Sequence, residues 1–147
     1  MKERNQCLIE IKEAMVIRLR DTMKKDRKRY LATVKNLILQ SMIKMIEPSL
    51  LIKCRQEDVN DIKGMISDLQ GEYSSFMEQQ TGRDEYECTL EVYEESYITD
   101  DRDKGCGGII LYTSNSRTVC ENTLYSRLEL AFQELLPSIR QTLFPEQ

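Results

Sequence analysis

Five cysteines (Cys7, Cys54, Cys88, Cys106, Cys120) and a complete lack of histidine set the first limits on chemistry. A His-based catalytic triad is impossible, and with no CxxC pair a zinc site is not expected. Thiol catalysis needs a thiolate, which here only Lys or Arg could favour. Cys54, between Lys53 and Arg55, is the candidate; at a core-facing strand position it reads rather as a small hydrophobe. The stretch GCGG (105–108) could cradle a phosphate if it joined a strand to a helix. It stands before a strand instead, with no GxxxxGK[ST], so tight-turn glycines are the expectation. Carboxylates crowd 84–103 (DEYECTLEVYEESYITDDRD) without the DxDxDG spacing of a calcium loop, and read as a solvated acidic face. The basic run RLRDTMKKDRKRY (18–30) could grip phosphates. Only Tyr30 offers stacking, and a helix surface that is solvated or faces an acidic partner is the preferred reading over nucleic acid. No cofactor or metal is expected.

These groups sit on a chain with a divided charge. Residues 1–36 hold eleven Lys/Arg against five Asp/Glu, and residues 37–147 hold ten against twenty. Such asymmetry points to two surfaces with different partners. At 147 residues, 40% apolar and 31% charged, one soluble domain is expected. No apolar run approaches the ~20 residues of a membrane span, and the start lacks the apolar core of a secretory signal. Scattered cysteines, odd in number, suit free thiols in the reducing cytosol.

The elements that must position these residues follow from periodicity. From Lys2 to about Ile46 there is no Gly or Pro. Leu8, Ile11, Met15, Leu19, Met23, Tyr30, Val34, Leu37, Ser41 and Met45 recur mostly at three- and four-residue steps, interrupted at Asp26. A helix of about forty residues would run about 60 Å, so its first half is expected to project and to want a partner helix. After Tyr30 it enters a core. Glu47-Pro48 ends it; SLLIKCR follows as a strand with Leu50, Ile52 and Cys54 inward. A second helix carries Val59, Ile62, Ile66, Leu69, Tyr73 and Phe76 and closes at Gly82. A half-buried strand presents Cys88, Leu90 and Val92, and GIILYT and RTVC form a hairpin. The last helix, capped by Asn122 or Thr123, places Leu124, Leu128, Ala131, Leu135, Ile139 and Leu143 on its core stripe, with a kink or restart at Pro137. The fold class is α+β: a long N-terminal helix leading into a small mixed sheet packed with helices. Residues 1–36 form the projecting stalk helix and 37–147 the head.

GGIILYTSNSRTVCENTLYSRLELAFQELLPSIRQTLF resembles the C-terminal signature of the E subunit of the rotary vacuolar-type ATPases. Gly107, Gly108, Asn122, Thr123, Leu124, Ser126, Arg127, Leu128, Pro137, Arg140, Leu143 and Phe144 fit it in order. LILQSMIKMIEPSLLIKCRQEDV is similar to the family's helix, E-P break and strand ending in C-R, so the likeness covers about Leu37 to Phe144. The resemblance implies a non-catalytic peripheral stator in a proton-transporting ATPase. In that family the N-terminal helix pairs with the G subunit, here through Leu8, Ile11, Met15 and Leu19. The head binds the B subunit of the catalytic hexamer, with Arg127 and Arg140 as docking candidates or as structural ion pairs, and the C and H subunits are further candidate partners. It implies a cytoplasmic protein, peripheral on the cytosolic face of vacuolar or endosomal membranes, with no insertion and no nucleic acid. Family chains usually carry a longer helix upstream, so residues 1–36 look like its lower end. Rival readings are a stator-like regulator of a flagellar or secretion ATPase and a nucleic-acid module built on the basic helix.

Overall fold

The computed structural model describes residues 2–115 and 117–143. The expected single N-terminal helix is two: α1 (Lys2–Lys25) and α2 (Arg27–Met45), separated at Asp26. Asp26 leaves helical geometry (φ −125°, ψ 86°) and its carboxylate accepts the Arg29 N–H at 3.1 Å. A short acidic side chain competes well for the first free amides of a helix, so the interruption of the apolar stripe is also a break in the backbone. At the other end Ile46 takes a left-handed conformation (φ 49°), and its N–H bonds to Met42 O just before the expected Glu47-Pro48 stop.

β1 (Ser49–Lys53) is followed by a single 3₁₀ turn (Gln56–Asp58) and α3 (Val59–Thr81), then β2 (Thr89–Val92). A one-turn helix α4 (Asp100–Asp103) precedes β3 (Gly108–Thr113), β4 (Val119–Thr123) and α5 (Leu124–Leu143). Among the described residues the strands form one mixed sheet in the order β2-β1-β3-β4. β1 pairs parallel to β2 and antiparallel to β3, and β3 and β4 make the expected hairpin with Ile109 opposite Asn122. The fold class is therefore α+β, as the periodicities predict.

Leu50, Ile52, Leu90, Ile109 and Leu111 join one core, where they meet Tyr30, Val34, Leu37, Ile38 and Met42 of α2 and Val59, Ile62, Leu69 and Tyr73 of α3. Cys54 and Cys88 enter this core as buried thiols, and all five cysteines are free. Two helix phases differ from expectation. On α3 the stripe runs Leu69, Tyr73, Met77, four-residue steps that leave Phe76 exposed. On α5 Leu128 is half-buried, Ala131 exposed and Leu135 exposed at 50%, while Leu124 and Phe132 are buried. That helix runs on without a break through Pro137, and besides β4 it contacts α1 and α4. The contacts expected of Leu143 and Phe144 fall outside the described side chains.

Candidate docking surfaces and the glycine loop

The glycines of 105–108 are built for close approach. Gly105, Gly107 and Gly108 all have positive φ (79°, 88° and 116°), which L side chains rarely adopt. A Cβ on Gly107 would overlap the Tyr30 ring and hydroxyl, and one on Gly108 would stand 2.5 Å from Thr123 Cα. The loop does cradle an anion, but an internal one. Gly105 N–H (2.9 Å) and Gly107 N–H (3.2 Å) donate to the carboxylate of Asp103, which is fully buried. Both Asp103 oxygens also accept from Arg55 Nη1 at 2.9 Å. Where a phosphate loop would leave its amides open, this one closes them on its own side chain.

A second buried carboxylate ties the loop to α2. Tyr30 Oη donates to Asp58 Oδ2 (2.6 Å) and accepts Gly108 N–H (3.0 Å). Arg27 spans Asp58 Oδ1 (2.7 Å) and Asp61 Oδ2 (2.6 Å), and its guanidinium lies 5.3 Å from the Tyr30 ring centre. Burial, with Asp58 alongside, pushes the Tyr30 phenol well above its ordinary value. Burial disfavours the charge on Arg55, yet hydrogen bonds to Asp103, Glu57 and Asp100 outweigh it and hold the guanidinium charged. Arg20, Lys24, Arg27 and Arg55 line a hollow of about 370 Å³ beside Glu57 and Asp100. Arg27 and Arg55 are already bound to carboxylates, and Arg20 Nη1 donates to Lys104 O at 3.4 Å. The basic run thus turns part of its charge inward. Sequence reading misses Asp58, Asp103, Arg27 and Arg55 as a set, because their partners lie 28 to 48 residues apart.

Cys54, the one thiol with basic neighbours in sequence, is fully buried, and burial pushes it up to about 12, aided by Asp58 and Glu94. It is held as a thiol, against nucleophilic use. Burial likewise raises Cys88 to about 11.

The α1 stripe is partly covered by the chain's own head. Leu8 is buried, Leu19 packs with Val16 and Met23 against the core, and Ile11 and Met15 are half-buried. Lys12 Nζ pairs with Glu129 Oε1 on α5 at 3.0 Å. Lys12 and Lys104 stand 5.7 and 5.9 Å from the centre of the Tyr125 ring, and the Cys106 thiol lies 3.7 Å from Val16 O. The expected projection is therefore replaced, in the free chain, by a helix folded along α5: an apolar stripe with nothing else beside it finds cover on its own molecule. Ile9 and Ile17 remain half-exposed, at the mouth of a hollow of about 590 Å³.

Residues of the C-terminal motif brace the fold. Asn122 Nδ2 reaches Ser41 Oγ (2.8 Å) and Leu37 O (3.4 Å), stitching β4 to α2. Thr123 is the helix cap, accepting Ser126 N–H at 3.1 Å. Arg127 is exposed and donates to Asn122 Oδ1 (3.1 Å), holding the amide that makes those bonds. Arg140 and Pro137 are exposed, and among the described residues neither Arg127 nor Arg140 has an ion-pair partner. The two arginines stand 13 positions apart on one helix and do not converge on a shared site. No helix among the described residues is long and apolar enough to cross a membrane, and no three acidic or thiol side chains there converge on a metal position.

Comparison with known proteins gives this geometry a context. The family described as ATP synthase (E/31 kDa) subunit matches residues 1–144. The chain is 33% identical over 118 residues to V-type proton ATPase subunit E3 of Arabidopsis thaliana, covering 78% of this chain and 49% of that protein. It is 32% identical over 120 residues to the V-type proton ATPase E subunit of Manduca sexta (82% and 49%), and 31% over 119 residues to that of Spinacia oleracea (81% and 52%). The chain spans about half the length of these relatives. With a match that runs from α1 to the end of α5, it belongs to the ATP synthase (E/31 kDa) subunit family, alongside the E subunits of V-type proton ATPases.

Proposed function

We propose that the chain acts as a non-catalytic stator element of a V-type proton ATPase. In this reading α1 pairs with a helix of the G subunit, and the head docks on the B subunit of the catalytic sector, with the C and H subunits as further neighbours. It works from the cytosolic side of vacuolar or endosomal membranes and resists torque on the stalk. The observation that carries the reading is the family match over residues 1–144, which takes in the basic helix and the head together. Local chemistry supports it: the loop amides are taken by Asp103, and the most basic-flanked thiol is held protonated. Inward pairing of Arg27 and the engagement of Arg20 weigh against a phosphate-gripping helix.

The test is reconstitution. The chain is mixed with recombinant V-type G subunit and, separately, with B subunit, and complexes are followed by size exclusion and calorimetry. A stoichiometric complex with either is expected. Binding to neither, with salt-sensitive binding to oligonucleotides instead, would overturn the stator reading in favour of a nucleic-acid module. Arg127→Glu and Arg140→Glu then ask whether those exposed arginines belong to the head's docking face; unchanged binding to the B subunit removes them from it.

A further inference from the structure

The N-terminal half of α1 meets α5 through a contact unlike the main core. Leu8 on α1 and Phe132 on α5 are both buried, yet neither belongs to the cluster around the sheet. Next to them in the antiparallel run stands the Lys12–Glu129 pair, one helical turn from Leu8 and about one turn from Phe132. Further along, Tyr125 receives Lys12 and Lys104, and Arg20 reaches the Lys104 carbonyl. The side chains of the ion pair are 25% and 45% exposed, so water and salt compete for it. At its C-terminal end α1 is joined to α2 by a single non-helical residue, Asp26. Beside this contact, Ile9 and Ile17 stay half-exposed. Toward its N-terminus α1 is thus held by a thin, largely polar seam, while Val16, Leu19 and Met23, nearer the one-residue hinge, pack against the core, and Ile9 and Ile17 stay uncovered.

We propose that α1 is an intramolecular latch: Glu129 and Tyr125 of α5 hold it closed over the Leu8–Leu19 stripe, and an amphipathic partner helix must displace it by swinging α1 out about Asp26. This rests on the pairing role proposed above and adds to it a closed state that competes with pairing. In that closed state the stripe is spent on the chain's own head, so apparent affinity for a partner falls by the fraction of molecules that are open. Once released, a 24-residue helix with few partners frays unless the partner covers it. Opening is favoured by salt, which weakens the exposed pair, and the Asp26 break lets it happen without unwinding α2.

Hydrogen exchange on the full chain, read by mass spectrometry, tests the latch without any partner. In Glu129→Lys the amides of residues 8–19 should exchange about two- to fivefold faster than in the wild type, the range expected for losing one exposed pair. Amides of β3 at Ile109 and Leu111 should be unchanged. The swap Lys12→Glu with Glu129→Lys should restore protection. Equal protection of 8–19 in wild type and Glu129→Lys overturns the latch. Should Glu129→Lys also loosen β3, Tyr125→Ala replaces it: faster exchange confined to α1 supports the latch, and no change overturns it. Titration with recombinant G subunit then separates the two ideas. Glu129→Lys should bind tighter by the same factor that its exchange rose, and equal affinity overturns the competition. A chain whose α1 opens but which binds no G subunit retains the latch and loses the pairing role.

Discussion

Tyr30 is the residue on which several elements converge: it is buried in the core, donates to Asp58, accepts from Gly108, and supports Arg27 over its ring. Tyr30→Phe keeps the ring and leaves the Gly108 N–H and one Asp58 oxygen short of a partner. The expected cost is about 1–3 kcal/mol in urea unfolding, and a change below about 0.5 would mean water replaces the hydroxyl without loss. The sign of the pH effect follows from the raised phenol. A group with a folded pKa above its unfolded value stabilises fully below the unfolded pKa, about 10 for tyrosine, and that stability is lost as pH rises through the folded value. Cys54 and Cys88, raised to about 12 and about 11, act in the same direction from about pH 9 upward. Thermal midpoints should therefore fall between about pH 9 and 12, and Tyr30→Phe should soften the upper part of that fall. A flat profile would contradict the burial of these groups. The same thiols should resist alkylation at neutral pH, while the half-exposed Cys7 and Cys120 react first.

At the scale of elements, period is legible in the sequence and phase is not. The spacing of apolar residues on α3 and α5 announces helices, but each carries enough apolar residues to offer two adjoining stripes. Sheet and neighbours choose between them, and that choice depends on contacts from distant segments. Hence Met77 is buried where the spacing favours Phe76, and Phe132 where it favours Leu135. Asp26 is readable as an interruption of the stripe; that it also breaks the backbone depends on its carboxylate capping α2. Glu47-Pro48, the β3–β4 hairpin and the Thr123 cap are local signals and read correctly. The carboxylates at 58 and 103 look like surface acids because nothing nearby in sequence shows Arg27 or Arg55 arriving. Two substitutions probe the phases. Phe132→Ala should cost about 3 kcal/mol and Leu135→Ala less than about 1, measured by chemical unfolding. Similar costs would restore the Leu135 stripe. Gly107→Ala must place a methyl on Tyr30 at positive φ, and should cost more than about 1 kcal/mol.

For the whole molecule, we propose that any boundary between stalk and head lies before residue 27. Division at residue 36 puts Tyr30 and Arg27 outside the head, yet both are fixed into it through Asp58. A chain starting at Arg27 should still unfold cooperatively, at a lower midpoint because Val16, Leu19 and Met23 no longer cover the core. One starting at Leu31 should lose several further degrees or its cooperativity, and equal midpoints for the two would show that the Tyr30–Asp58 tie is dispensable. Charge division follows the same seam. The positive excess of residues 1–36 lies largely on α1 and the start of α2, against a head of net negative charge. That attraction favours the closed molecule at low ionic strength.

The strand order has a consequence for synthesis. β1 is central in the sheet, yet both its neighbours come later in the chain: β2 begins 36 residues after Lys53, and β3 later still. At roughly 5–20 residues per second, β1 waits about two to seven seconds on the ribosome before its first partner is even made. During that interval Ser49–Lys53 is an apolar strand with both edges open, bracketed by Pro48 and Lys53. Proline and a charge at its ends are what discourage it from pairing with another nascent copy, so replacing Pro48 should lower soluble yield more than it lowers the stability of the finished fold.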